Sequence, residues 1–182
     1  MKKISTKGIV FSGMFIALGL VLPFFTGQIP TIGRQLLPMH IPVLICGFVL
    51  GWPYGLIVGF ITPLLRSVLF TMPPMYPSAV AMAFELAVYG FMTGLLYKLM
   101  PRKIVFVYIS LILSMLLGRI VWGIVSLVLY TLGGDAFTWS AFMSGAVINA
   151  VPGIIIQIAL IPPIILALEK GRLIVNGKLA DF

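Results

Sequence analysis

Charge is what this sequence has least of. Only 9% of its 182 residues are Asp, Glu, Lys or Arg and 61% are hydrophobic, whereas a soluble domain carries about 25% charged and about 45–50% apolar residues. A water-soluble globule of this size has no means of covering so much apolar surface, so the chain reads as membrane throughout. Its length leaves no room for a large catalytic or nucleotide-binding domain beside the membrane part. Histidine occurs once, as His40, and cysteine once, as Cys46, which excludes an intrachain disulfide, a cysteine-based metal site and His–Cys chemistry. Cys46 sits in an apolar run and reads as a buried thiol. No H-E-x-x-H, G-x-S-x-G or G-x-x-x-x-G-K-[ST] pattern occurs, so nothing points to a zinc protease, a serine hydrolase or a nucleotide-binding loop. No enzyme, metal or cofactor is expected. Energy for any uphill transport must come from another protein.

Acidic residues are scarcer still, four against twelve Lys and Arg, for a net charge of +8. The cations form short clusters at the ends of apolar runs, not a continuous basic face with interleaved aromatics, so they argue for membrane topology and against nucleic acid. Lys2, Lys3 and Lys7 precede the first run, Lys98, Arg102 and Lys103 join the fourth to the fifth, and Lys170, Arg172 and Lys178 follow the sixth. The opposite side has only Arg34 and Asp135 as clear loop charges.

A spanning helix takes about 20 apolar residues. Turn chemistry and charge divide the chain into six candidates, roughly 8–26, 36–52, 54–72, 78–97, 104–132 and 141–168. The first resembles a signal peptide but lacks a small-x-small cleavage site, with Pro23-Phe24-Phe25 in its place, and is read as a retained transmembrane helix. The expected fold is an all-α integral membrane protein, a six-helix bundle in a single domain over 1–182 with both termini cytoplasmic. The last two segments exceed the bilayer thickness, and Pro152 and Pro162-Pro163 offer kink sites in the sixth. The outer loops at 27–35 and 71–77, rich in Pro and Gly, are placed to cap a cavity.

Ionisable groups within membrane segments are functional-site candidates because they are costly unless paired or wet. There are three: Arg66, Glu85 and Arg119. At 1.5 Å per residue, Arg66, Glu85 and Asn149 lie about 10–12 Å below the outer ends of their helices. His40 stands near the outer start of the second helix and Tyr76 in the third loop. This convergence outlines an outward-opening polar cavity. Arg66 and Glu85 either bind a solute or join two helices as a buried pair. Arg119 can pair with Glu85, line the cavity or meet another subunit. Asn149 can also serve as interhelical glue and His40 as a helix-end residue. On the first helix Gly13 and Ala17, four apart, make a small-residue face for packing within the chain or for docking another membrane protein.

The stretch Leu37-Pro38-Met39-His40-Ile41-Pro42-Val43-Leu44, continuing through Gly47-Phe48 and Gly51-Trp52-Pro53-Tyr54-Gly55 to Gly59, resembles the second-helix region of substrate-binding S components of energy-coupling factor (ECF) vitamin transporters. His40 takes the position where that family often has an acidic residue. The resemblance implies a subunit in a bacterial plasma membrane that captures a water-soluble vitamin or precursor. It also implies a membrane coupling (T) subunit that docks on Gly13 and Ala17, and two cytoplasmic ATPase subunits that power release. Two arginines against one glutamate favour an acceptor-rich or anionic ligand, because a guanidinium carries five donors suited to a carboxylate. Pantothenate is therefore the first choice. Hydroxymethylpyrimidine or pyridoxine, stacked on Tyr76 or Trp139, comes second, with riboflavin, folate and a corrin precursor open. A small independent channel, or a structural subunit of another membrane complex, is the alternative outside the family.

The basic clusters generate a direct test of topology. In a Cys46→Ala background, single cysteines at positions 3 and 100 should resist an impermeant thiol reagent added from outside, and one at position 134 should react. Outside labelling at position 100 contradicts the orientation.

Overall fold

The computed structural model describes residues 6–26 and 35–175. Helix α1 spans Thr6–Val21 and runs on as a tighter turn, Leu22–Thr26, where Pro23 ends the regular ladder. Next come α2 at His40–Leu50, α3 at Trp52–Phe70, α4 at Val80–Leu99 and α5 at Ile104–Leu132. The sixth segment is divided into a short α6 at Trp139–Met143 and a long α7 at Val151–Lys170. Five helical stretches are long and apolar enough to cross a membrane, and His40–Leu50 is a shorter apolar helix. Six helical segments thus match the expected number, and the chain is a multi-pass membrane protein.

Two boundaries differ from the sequence-based expectation. The second helix starts at His40 rather than near 36, because Pro38 disfavours the helical conformation in the residue before it. Leu37 leaves the right-handed helical region at φ +50°, and its carbonyl accepts from the His40 N–H at 3.0 Å. The sixth segment breaks at Ser144–Ile148, a wide turn, instead of kinking at Pro152. Pro152 lies in the first turn of α7, where a missing N–H costs nothing. Pro162 and Pro163 stay within that helix.

Helix α2 is the centre of the bundle. Every residue in it except Ile41 is buried, so it is apolar all round, as a helix enclosed by others must be. Glycine lets α2, α3 and α4 meet backbone to backbone. A Cβ on Gly47 would overlap the Gly90 carbonyl of α4, one on Gly90 would overlap the Gly55 backbone of α3, and one on Gly59 would overlap the Leu86 carbonyl. Backbones in such contact gain dispersion and packing energy where lipid supplies no hydrophobic drive between helices. The α2–α3 connection is a single residue, Gly51, at φ +94°, a conformation that glycine adopts without penalty. At the far end of the chain the Val175 N–H donates to the Val49 carbonyl at 2.8 Å, and Ile174 enters the core, closing that end of the bundle.

The outside of the bundle is apolar: Val10, Leu18, Val68, Leu116, Ile124 and Ile155 all stand exposed, as lipid-facing residues do. Helix α1 uses Gly8, Phe15 and Gly19 against the rest of the chain. Gly13 and Ala17 lie on its other side, and no atom comes within 4 Å of a Cβ built on Gly13. Of the two uses open to this small face, packing within the chain is not the one found among the described residues. Lys2, Lys3, Lys178, Gly33 and Arg34 lie outside the described residues.

Candidate functional site

At the end of the bundle away from the 98–103 link lies a cavity of about 730 Å³. Its lining includes His40, Arg66, Glu85, Arg119 and Asn149, five of the six residues proposed from sequence. The wide turn at Met75–Ala79 and the loop before it form one wall, through Met72, Pro73, Pro74, Pro77 and Ser78. Tyr76 does not line the cavity. Its hydroxyl donates to the Leu129 carbonyl of α5, which ties this loop to the opposite helix. Trp139, the other proposed stacking residue, is largely exposed and packs on Phe142 with ring centroids 5.3 Å apart.

Glu85 organises the floor. Its Oε1 lies 3.0 Å from Arg119 Nη1 and 3.7 Å from His40 Nε2, and it accepts from the Tyr89 hydroxyl at 2.9 Å. A carboxylate this deep needs compensation for lost water, and α5 and α4 supply it within hydrogen-bond distance while α2 brings the imidazole near. The fit depends on Gly118. A Cβ there would collide with the Tyr89 ring, so glycine lets that ring lie against α5 and its hydroxyl reach one turn back to Glu85. Around Glu85, neither His40 ring nitrogen has a geometrically sound hydrogen bond among the described residues, and neither do Nε and Nη2 of Arg119.

Of the two readings open for Arg66 and Glu85, the direct ion pair is not found among the described residues. Arg66 Nη1 donates to the Leu20 carbonyl of α1 at 2.5 Å. Its guanidinium sits by the rings of Phe24 and Phe70, 5.3 and 5.4 Å from the centroids, in cation–π contact. The cause is helix rotation. Leu86, Gly90 and Gly94 face α3, whereas Glu85 and Tyr89 occupy the adjacent stripe of α4, which faces Gly118 and Arg119. Equal depth placed Arg66 and Glu85 at one level but on different sides of it. Of the uses open to Arg119, pairing with Glu85 and lining the cavity are both realised.

Asn149 sits at the break between α6 and α7. Its Nδ2 donates to Ser144 Oγ at 3.1 Å and its N–H to the Ser144 carbonyl at 2.9 Å, so it holds the wide turn that opens this wall. Sequence reasoning missed an aromatic side of the site. Arg119, Trp122, Ser126 and Tyr130 all line the cavity, spaced three and four apart as one face of α5. Tyr130 stacks on Phe137 with centroids 5.5 Å apart, and Trp122 meets the same ring edge-on at 5.9 Å. The spacing was readable; the length and overall apolarity of the helix concealed it. Tyr89, four residues after Glu85, was likewise readable as a partner on the same helix.

The described helices thus form an apolar bundle around a mostly apolar cavity that has an ion pair in its lining, an architecture with room for a small solute. Residues 7–165 match the family described as ECF transporter, substrate-specific component. The chain belongs to that family, whose members bind substrate for a transporter and associate with a T component and ATPases. No curated protein and no solved structure matches the chain.

The revised pairing has a measurable consequence. Glu85→Ala leaves Arg119 without its counter-charge and should destabilise the ligand-free protein by about 3–5 kcal/mol, the range for breaking a buried pair. The double change Glu85→Gln with Arg119→Met should recover most of that loss. Thermal unfolding in one detergent checks both, and a double variant no more stable than Glu85→Ala contradicts the pairing.

Proposed function

We propose that this chain is the high-affinity substrate-capture subunit of an ECF transporter that imports a water-soluble vitamin or precursor. Family membership supports the capture role, and the cavity with charged residues in its lining supports a solute-binding use. With the basic clusters cytoplasmic and the protein in a bacterial plasma membrane, the cavity opens outward, where a scarce solute must be caught. The loop over 71–79 acts as a lid, fastened by Tyr76 to Leu129. His40, Arg66, Glu85, Arg119 and Asn149 form the binding surface, and Tyr76 contributes through the loop.

The charged lining residues are Arg66, Arg119 and Glu85. With His40 neutral, one positive charge remains, and a solute bearing one negative charge neutralises it. That supports pantothenate over hydroxymethylpyrimidine and pyridoxine, for which the Trp122, Tyr130 and Phe137 rings would be the stacking surface. Gly13 and Ala17 are the docking face for the T subunit, because a small-residue stripe open to lipid permits a second helix to approach closely. Two cytoplasmic ATPase subunits then drive release inward.

Co-expression with the T subunit and ATPases tests the assembly. Gly13→Leu and Ala17→Leu should abolish co-purification and uptake while leaving ligand affinity of the isolated subunit within about twofold, since both sites are remote from the cavity. Assembly preserved in both variants contradicts the docking face.

A further inference from the structure

The geometry points to Arg119, through the edge formed by its Nε and Nη2, as the anchor for a carboxylate group of the transported solute. The inference rests on the cavity being the ligand site and goes further, to the atoms that select the ligand. A guanidinium has two edges able to present parallel N–H pairs to a carboxylate, and only the Nε–Nη2 edge leaves Nη1 free for another partner. In this protein Nη1 is held by Glu85 at 3.0 Å. Nε and Nη2 are buried and have no partner among the described residues, although Arg119 lines the cavity. Unmet donors of a buried cation carry a desolvation cost that a protein rarely tolerates unless something else meets them.

Glu85 is then a positioning residue. It grips one end of the guanidinium, is itself held by Tyr89 at 2.9 Å, and so fixes the direction of the free edge. Arg66 is differently placed, because its Nη1 is engaged by Leu20 and its plane by two aromatic rings. It contributes long-range charge. A lysine at 119 would keep the charge and the contact with Glu85 but offer no parallel pair.

Matched ligands test this. Calorimetric titration of the purified wild-type subunit should use pantothenate with its alcohol pantothenol, nicotinate with nicotinamide, and biotin with its primary amide, alongside hydroxymethylpyrimidine, pyridoxine and riboflavin. One carboxylate should bind at least about 10- to 150-fold more tightly than its neutral twin, the range for losing a hydrogen bond to a charged group. Arg119→Lys should bring that ratio to within about threefold while leaving unfolding temperature near that of the wild type. A wild-type protein that binds both twins equally, or a folded Arg119→Lys that keeps the preference, overturns the anchor. Tight binding of only a neutral vitamin overturns the anchor and leaves the capture role standing; binding of no compound counts against both. The twin comparison needs no variant, so it can overturn the anchor even where Arg119→Lys fails to fold.

Discussion

A carboxylate buried among apolar helices must be answered from every side, and the arrangement of this protein follows from how Glu85 is answered. Its oxygen meets a guanidinium from α5, an imidazole from α2 and a phenol from its own helix. A dry ion pair seldom recovers its desolvation cost, so the pair's position at the floor of a cavity matters: one side of it faces space in which water or a solute can contribute. Two of the three helices that meet at Glu85, α2 and α4, are pressed together with α3 by glycine, and Gly118 lets the third, α5, accept the Tyr89 ring. Structural tightness and the polar site are therefore two results of one packing scheme.

That scheme divides the molecule. Below the site, Gly47, Gly55, Gly59 and Gly90 press α2, α3 and α4 together, and the segment ending at Val175 closes the base. Above it, prolines in the 72–77 loop and the break at Ser144–Ile148 hold the walls apart. A rigid floor that fixes charged groups beneath a rim of loops suits capture. In the proposed role the floor would set which solute fits, and the rim would shield it from water without repacking the core.

Much of this was legible in the sequence, for identifiable reasons. The fifth span, 104–132, was read to the residue because charge and glycine bound it on both sides. Depth was legible too, because helical rise is constant, and it put Arg66, Glu85 and Asn149 at about one level. Rotation about the helix axis was not, since nearly every face of these helices is apolar and no polar face reports which way a residue points. The partner of Glu85 was therefore left open between two arginines. The Gly118-Arg119 dipeptide held a clue, because a glycine beside a buried charge marks close approach by another side chain, here the Tyr89 ring. The break before α7 escaped notice because Ser144, Gly145 and Asn149 are tolerated within membrane helices, and the Asn149–Ser144 hydrogen bonds that stabilise the turn exist only once it has formed.

The central claim is that this subunit by itself holds one small solute. Native mass spectrometry of the protein, purified without added ligand from cells grown in rich medium, tests it most directly. The account predicts a mass increment for one bound small molecule per chain, removed by unfolding. A protein that carries no such molecule, and gains none on incubation with a concentrated extract of the same medium, would contradict it.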